Sequence, residues 1–325
     1  MNQQVVVARV YADASPGALP IQVGDVVEQA DGVPVAQILA RARPYVAAST
    51  PAAATREGLR FVLRGQERDS AALTVRTPRG VRTVRLKRSL TIQSPIVATY
   101  KDYYFGKNLR DTTLIWRLLP NNIGYVHLGG LPATQMAHVL RLFRQTAGLV
   151  LDLRAYPQAG LWQLAAYLRP ASVPRLVQGR VGKPGISLAW PRSLVPTPHY
   201  PGYSRWSSAA TIAPAHGGVY TGRVVVLVNE KTQSYGETLA LLFKSIPGIV
   251  VVGSQTAGAN GNTIKVTLPA GLETYYSGIG MYNQDGSETQ RVGIVPDIWV
   301  VPSLKGIQSG KDEVLDRAVS HLLAQ

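Results

Sequence analysis

The feature that most constrains the fold is a run of five apolar residues, Val224 to Val228, in the segment RVVVLVNEKTQSYGETLALLFK. Because no polar residue alternates within the run, it predicts a strand covered on both faces, as in a parallel sheet of an α/β layer. The apolar residues that follow recur at helical spacing, which predicts a helix beginning close to Ser234. Ser234 is therefore predicted to lie where a buried strand turns into a helix.

This position gives Ser234 two alternative roles. Unpaired N–H groups and the positive end of the helix dipole gather at such a turn, where they would stabilise an oxyanion beside the hydroxyl. Alternatively Ser234, or Thr232 before it, only caps the helix, since serine and threonine are ordinary N-caps. The local sequence favours the cap, so other motifs have to decide between the roles.

The composition is that of a globular protein. A chain of 325 residues, 46% hydrophobic and 16% charged, is long enough for two domains with well-filled cores. Its start lacks the pattern of a signal peptide, and no apolar run reaches the ~18 residues that cross a bilayer. The absence of cysteine excludes disulfides and thiol catalysis and fits an exported protein. We expect a periplasmic or cell-envelope location with the signal outside this chain, the cytoplasm being the alternative.

The net charge of +15 is spread along the chain and does not form a recognisable nucleic-acid module, so nucleic-acid binding is not expected. A basic field of this size can still attract acidic polymers or anionic membrane surfaces. The sequence contains neither an HExxH motif nor a clustered set of carboxylates, so neither a metal nor a cofactor is expected. The oligomeric state is left open.

Residues 1–93 are predicted to form a small β-rich domain. Strand-like runs flank an Asp31-Gly32 turn and a second turn at Pro78 to Gly80, which predicts two hairpins. A helical or irregular arm over residues 36–64 separates these two hairpins.

Within this domain, a Ser-Pro step, Leu19, the Gly24-Asp25 step and the Asp-Gly turn follow in an order that resembles bacterial PDZ domains. The resemblance implies that an extended peptide adds a strand to a free sheet edge near Leu19, Gly24 and Asp25. Backbone N–H groups would then hold its C-terminal carboxylate. The alternative is a cap domain whose groove is filled by its own chain.

Residues 94–122 carry weaker strand-like patches, and we interpret them as a connector to a second domain over residues 123–325. Strand and helix patterns alternate from 123 to 245, which predicts an α/β layer with right-handed crossovers. The stretch 173–208, rich in proline, glycine and aromatic residues, is predicted to form a long loop over the site. A last helix closes the chain, with Ser309 as its predicted cap.

Four motifs occur in a characteristic order: GLVLDLRAYP, VVVLVNEKTQSYGE, VVGSQTAGANGN and GSETQRVGIVPDIWV. Together they resemble the C-terminal-processing (tail-specific) serine peptidases and their tricorn-like relatives. The resemblance implies a ClpP/crotonase-like α/β peptidase core, a polypeptide substrate, and Ser234 as the nucleophile. The chain departs from the processing peptidases at one point, because their lysine base falls on Ala259, which cannot take a proton.

A serine hydroxyl needs a base, since it is a weak nucleophile while protonated. The tricorn-like relatives use a histidine as the base. His127 is the candidate here, because it ends a predicted strand at the edge where an α/β layer collects ligands, and its ordinary pKa of ~6.5 suits the role. The structural alternative is a half-buried strand histidine. His199 and His216 lie in or near the long loop and are further candidates. The other lysines considered are expected to be solvated: Lys231, Lys244 and Lys265.

Glu288 is the predicted acid that orients the histidine, because it occupies the place of the tricorn-like glutamate, before a G-x-x-PD step. Glu237 is its competitor. Since Glu237 follows Ser234 by three residues, we expect it to complete an S-x-x-E capping box instead.

The predicted oxyanion donors are the backbone N–H of Tyr235 and one N–H from the turn after Arg154, with Tyr156 and Gly160 as candidates. Here the chain shows Pro-Gln-Ala before Gly160, where the family commonly has a glycine pair. The sequence therefore favours a serine endopeptidase that captures and cleaves extended or C-terminal polypeptide segments. The alternative is a catalytically inactive peptidase-fold protein that binds peptides or acts as a scaffold.

Overall fold

The structure of the protein is a computed structural model that describes residues 4–10, 20–66, 69–88, 115–168, 219–261, 263–277, 281, 283 and 287–324. Its strands form two main sheets and one separate two-stranded hairpin. An antiparallel sheet precedes an α/β layer along the chain, which confirms the predicted α/β and β fold class.

The N-terminal sheet is antiparallel and has five strands in the order β1-β2-β4-β5, with β3 paired to β2. Two helices lie between β3 and β4 along the chain. The elements are β1 (Val5–Val6), β2 (Val26–Ala30), β3 (Val33–Pro34), α1 (Val35–Ala42), α2 (Pro51–Gly58), β4 (Ser70–Thr77) and β5 (Gly80–Lys87).

Both predicted hairpin turns are confirmed. Asp31 and Gly32 join β2 to β3 with φ values of 51° and 77°, the left-handed pair that a two-residue hairpin loop requires. Thr77 pairs with Gly80 at the tip of the β4–β5 hairpin. Local turn chemistry thus sets the strand pairing of this sheet.

The second sheet has six strands in the order β13-β10-β9-β8-β7-β6, all parallel except the edge strand β6. The hairpin β11–β12 stands apart from it. The strands are β6 (Trp116–Leu119), β7 (Ile123–His127), β8 (Gly148–Asp152), β9 (Arg223–Val228), β10 (Val250–Gly253), β11 (Thr263–Thr267), β12 (Glu273–Ser277) and β13 (Ile298–Trp299). The helices are α3 (Met136–Leu142), α4 (Leu164–Leu168), α5 (Tyr235–Lys244), α6 (Leu304–Gln308) and α7 (Glu313–Leu323).

Strand β9 is covered on both faces, as its sequence predicts. Val224, Val226 and Val228 belong to one apolar cluster, which includes residues of α5, while Val225 and Leu227 belong to another, which includes residues of α7. Because β7 to β10 are parallel, their carboxyl ends meet at one edge of the sheet, the edge where α/β sheets bind ligands.

Two predicted boundaries differ from the structure. The predicted connector 94–122 contains β6, which pairs with β7, so the second sheet begins before residue 123. Ser309 does not cap the last helix, because Asp312 is its N-cap and accepts a 3.1 Å hydrogen bond from the Leu315 N–H. Ser309 instead ends α6.

The predicted long loop at 173–208 lies outside the described residues. Among the helices of the described part, none combines the length and apolar character needed to cross a membrane.

An ion-pair network with a buried aspartate joins the end of β8 to the start of α7. The Arg154 guanidinium binds both the Asp152 carboxylate and the Asp312 carboxylate, each at 2.7 Å. Burial alone would raise the pKa of Asp152, but the positive charge and hydrogen bonds of Arg154 hold it at about 2. Tyr125 also donates a 2.8 Å hydrogen bond to this carboxylate. Asp152 is therefore ionised and compensated.

Replacing Arg154 with methionine is expected to destabilise the fold by about 3–5 kcal/mol at pH 7, because it leaves the Asp152 carboxylate buried and uncompensated. The ordinary pKa of Asp152 is near 3.8, so the stability that its ionised form adds is present above about pH 4 and is lost as the pH falls toward 2. Urea unfolding at several pH values measures both effects. The matched control Arg144→Met alters an exposed arginine and should change stability by less than about 0.5 kcal/mol. Equal losses in the two variants would contradict the assignment.

Candidate active site

Ser234 lies between β9 and α5 with a φ of 51° and a ψ of −122°. A non-glycine residue with positive φ is strained by about 1–3 kcal/mol, and such residues concentrate at functional sites. In α/β-hydrolases, a sharp and strained strand-to-helix turn exposes the nucleophilic serine hydroxyl. The Ser234 N–H donates a 2.8 Å hydrogen bond to the Ala259 carbonyl, and the Ser234 carbonyl accepts from the N–H groups of Glu237 and Thr238. These bonds hold the strained conformation.

The Ser234 hydroxyl does not serve as a helix cap. It makes no side-chain cap hydrogen bond to α5, and the residue is only half-buried. The capping role that the local sequence favours is therefore wrong for Ser234. Ser234 therefore stands at the predicted corner between β9 and α5 without a capping role.

Thr232 has a structural role in the same turn. It is buried, its hydroxyl donates a 3.0 Å hydrogen bond to the Leu153 carbonyl, and it accepts a 3.1 Å bond from the Asn229 N–H. Its own carbonyl accepts from the Ala257 N–H. Thr232 thus ties the turn to the end of β8 and to the segment after β10.

The expected capping box at Glu237 is not formed. Glu237 is 1% exposed, and its Oε1 accepts hydrogen bonds from the Thr256 hydroxyl and, at 2.7 Å, from the Gly258 N–H. Within the described part of the chain, its Oε2 has no partner. Burial raises the pKa of Glu237, and hydrogen-bond donors offset this only in part: Thr256 and Gly258 most, then the backbone N–H groups of Ala259 and Ser234. The carboxyl group holds the 256–258 segment and does not cap α5.

Ala259 lies directly against the proposed nucleophile, since its carbonyl accepts the Ser234 N–H. The position where the resemblance expects a lysine is therefore beside Ser234, and its side chain is a methyl group. Lys244, at the end of α5, is engaged elsewhere, because its ammonium lies 2.9 Å from Asp297 and donates to the Val295 carbonyl. Lys231 is half-buried in the turn, and the Lys265 side chain lies outside the described residues.

His127 is at the same edge of the sheet, at the end of β7, where its register partner is Asp152. Its Nδ1 accepts a 3.0 Å hydrogen bond from the Gly130 N–H. Since a backbone amide can only donate, neutral His127 carries its proton on Nε2. Burial lowers the pKa of His127, and the negative charge of Asp152 offsets part of this effect. The imidazole is neutral at pH 7, with the Nδ1 lone pair already in use.

The predicted acid Glu288 is exposed. Its neighbour Thr289 is buried and donates a 3.0 Å hydrogen bond to the Met281 carbonyl. The orienting role of Glu288 stays a prediction. His199 and His216 lie outside the described residues.

The two segments predicted to supply oxyanion donors approach one another. Tyr235 is the first residue of α5, and a Cβ placed on Gly236 would lie 3.5 Å from the Cδ of Pro157, in the loop after β8. Tyr156 precedes this proline and is half-buried. Gly160 has a φ of 85°, and a Cβ there would lie 3.1 Å from the Ala133 side chain. The donor roles of Tyr235, Tyr156 and Gly160 stay predictions.

The predicted peptide-binding residues lie in the turn before β2, except Leu19, which is outside the described residues. The Gly24 N–H donates to the Val7 carbonyl, and the Gly24 carbonyl accepts a 3.2 Å bond from Gln308 in α6. The buried Asp25 carboxylate accepts from the Gln22 N–H at 3.0 Å. These polar groups bind within the chain, and peptide binding by them stays a prediction.

Among the described residues, no group of three or more His, Cys, Asp or Glu side chains is placed to hold a metal ion.

The fold and the strained serine at the sheet edge define a serine-type peptidase core. The family model of peptidase family S41 matches residues 122–300, and the chain belongs to this family. The assignment to the processing-type serine peptidases, made from the four motifs, is thereby confirmed. Among proteins of curated function, none gives a significant match to this chain.

The solved structure of mature CPAF complexed with lactacystin is 17% identical, with a TM-score of 0.70, and covers 99% of this chain and 81% of its own. A structure of mature CPAF has the same identity and TM-score, over 99% and 80%. The photosystem II D1 C-terminal processing protease is 20% identical, over 96% and 74%, with a TM-score of 0.42. The likeness to CPAF shows a shared fold.

Two contributions to the site escape sequence reasoning. Glu237 contacts Thr256, 19 positions away, and Arg56 of α2 contacts Glu230, 174 positions away. The sequence gives only a weak indication of the Glu237 contact, because a carboxylate in the first turn of a helix can either cap that helix or bind a distant segment. The sequence gives no indication of the Arg56 contact, because it does not show which face of the N-terminal part meets the peptidase core.

The raised pKa of Glu237 implies that the free energy of unfolding depends on pH. A carboxyl whose folded pKa is raised stabilises the fold below its ordinary pKa near 4.5, and this contribution is lost as the pH rises through the folded value. Relative to Glu237→Gln, the wild-type protein should therefore lose stability on going from pH 4.5 to pH 8, as measured by urea unfolding. The exposed Glu28→Gln control should run parallel to wild type. A constant difference between wild type and Glu237→Gln would contradict the prediction.

Proposed function

We propose that this chain is a serine endopeptidase that captures and cleaves extended or C-terminal polypeptide segments, with Ser234 as the nucleophile. The observation that carries the proposal is the strained backbone of Ser234, at φ 51°, at the carboxyl edge of a parallel sheet in a family S41 chain. Since the hydroxyl makes no cap bond, capping does not explain the strain, and a catalytic use does.

In the proposed reaction, the Ser234 oxygen attacks the scissile carbonyl while a base takes the hydroxyl proton. The resulting oxyanion accepts hydrogen bonds from the Tyr235 N–H and from an N–H of the loop that contains Tyr156 and Gly160. The base then gives its proton to the leaving amine, which breaks the C–N bond and leaves an ester on Ser234. Water hydrolyses the ester by the same steps and releases the free carboxylate.

We infer that His127 is the base and that Glu288 supports it. The support for His127 is its place at the same sheet edge as the turn after β9 and the neighbouring Asp152 charge, which favours an imidazolium. Its Nδ1 accepts the Gly130 N–H, so Nε2 must give up its own proton before it can take one from Ser234. The proposal therefore includes a change of tautomer or of the Gly130 turn when substrate binds.

The five-stranded N-terminal sheet is proposed to hold the substrate as a PDZ-like domain over residues 1–93. The linking segment then ends before β6, and the peptidase core begins at β6 because this strand pairs with β7. The support for the PDZ-like domain is the antiparallel order of its sheet and its confirmed hairpin turns. An exported, envelope location and attraction to anionic membrane surfaces are further proposals, which rest on the net charge of +15 and the absence of cysteine.

A peptide-binding protein without catalysis is the second candidate, and two observations favour it. Ala259 stands where the resemblance expects the lysine base, directly beside Ser234. The Nδ1 of His127 is occupied by the Gly130 N–H. A protein with this site could bind an extended segment and leave it uncut.

A fluorophosphonate probe separates the two candidates. Wild-type protein is expected to be labelled, and Ser234→Ala to lose labelling entirely, because the probe reacts only with an activated serine. Ser245→Ala, at the other end of the same helix, is the matched control and should be labelled like wild type. If wild-type protein stays unlabelled from pH 6 to pH 9, the peptide-binding function is favoured.

The pH dependence of labelling tests the base. Because burial lowers the pKa of His127 below 6.5, the labelling rate should rise with pH and reach half its plateau below pH 6.5. His127→Ala should lower the plateau rate about 10²–10⁴-fold and remove this rise, whereas His138→Ala, an exposed residue of α3, should change neither. A His127→Ala profile that matches wild type would eliminate His127 as the base.

A further inference from the structure

Helix α2, in the N-terminal part of the chain, reaches the turn that leads to Ser234. The Arg56 guanidinium donates a 2.6 Å hydrogen bond from Nη1 to the Glu230 carbonyl and a 3.2 Å bond from Nη2 to Oε1 of Gln233. These two acceptors lie three positions apart in the turn that runs from the end of β9 to Ser234. A single planar side chain therefore bridges the turn.

The start of α2 meets the other segment that holds Ser234. Thr50, the N-cap of α2, is 2% exposed, and its hydroxyl donates a 3.4 Å hydrogen bond to the Thr256 carbonyl. A Cβ on Gly258 would lie 3.0 Å from the Thr50 methyl group. The segment that α2 touches here continues into Ala259, whose carbonyl accepts the Ser234 N–H. One helix thus contacts both supports of the serine.

We propose that Arg56 is a positioning residue, which fixes the turn before Ser234 and so places the hydroxyl for attack. This inference rests on the proposed peptidase function. A strained residue keeps its conformation only where many surrounding contacts enforce it. The two hydrogen bonds of Arg56 add such contacts from outside the peptidase core. In the structure Arg56 contacts the turn and not the Ser234 hydroxyl, so it acts through the turn.

The guanidinium is itself held in place. Glu57 binds it with Oε1 at 2.9 Å from Nη2, and the side chains of Arg56 and Glu57 are only 19% and 22% exposed. The Oε2 of Glu57 binds Arg60 at 3.0 Å, but the Arg60 side chain is 74% exposed. Arg56 and Arg60 therefore share one carboxylate, and in the described structure Arg56 also bonds to the turn. This difference makes Arg60 a matched control.

The test compares Arg56→Ala, Arg56→Lys and Arg60→Ala with wild type in saturation kinetics of fluorophosphonate labelling, with thermal unfolding recorded for each. A misplacement of about 1 Å can cost 10²-fold in rate, so Arg56→Ala is expected to lower the maximal labelling rate about 10–100-fold while the probe concentration at half-saturation stays within about twofold. Arg60→Ala should match wild type. Arg56→Lys keeps the charge but lacks the planar fork, so it should recover only part of the rate.

If wild-type protein is labelled, and folded Arg56→Ala reaches the same maximal labelling rate, this inference is overturned and the peptidase proposal stands. An unlabelled wild type would overturn the peptidase proposal and this inference with it. If Arg56→Ala does not fold, Gln233→Ala decides, because it removes one acceptor of the guanidinium without altering α2. A fall of at least about threefold in its maximal labelling rate supports the inference, and a wild-type rate overturns it.

Discussion

The hydrogen bond from the Ser234 N–H to the Ala259 carbonyl is the contact on which the site depends, because it holds a non-glycine residue at φ 51°. Strain of about 1–3 kcal/mol persists only where neighbouring structure opposes relaxation. Here Thr232 ties the turn to β8, and Glu237 ties the first turn of α5 to the segment before Ala259. The buried strand β9 fixes where the turn begins.

The pKa values of two buried carboxyl groups near this edge of the sheet are shifted in opposite directions, each for an identifiable reason. Asp152 is fully compensated by Arg154, so its pKa falls to about 2 and it carries a negative charge. Burial raises the pKa of Glu237, which is opposed only by hydrogen-bond donors. Environments that separate two pKa values in this way assign different roles to like groups. The charge of Asp152 favours an imidazolium at His127, while the carboxyl group of Glu237 holds the backbone through its hydrogen bonds.

The sequence predicts best those features that depend on neighbouring residues. The apolar run of β9 and the Asp31-Gly32 turn were predictable because periodicity and turn chemistry act over a few positions. Ser309 and Glu237 were assigned wrongly for a related reason. Each matches a local capping pattern, but Asp312 takes the cap of α7, and Thr256 with Gly258 takes the Glu237 carboxylate. The bridge from Arg56 to the serine turn depends on how two distant segments meet, and no local pattern encodes it.

The methyl group of Ala259 has a consequence for the electrostatics of the site. A lysine at this position would place a cation beside Ser234. In the described part of the chain, hydrogen-bond donors oppose the effect of burial on the pKa of Glu237. An isolated carboxylate in such a place is costly, which raises its pKa. Hydrogen bonds from the Thr256 hydroxyl and the Gly258 N–H hold the Glu237 carboxyl group against the 256–258 segment. Under the proposed function, a group other than a lysine has to take the Ser234 proton. His127 is our proposed base, and it can act only once its Nε2 has given up the proton that it carries while Nδ1 accepts the Gly130 N–H.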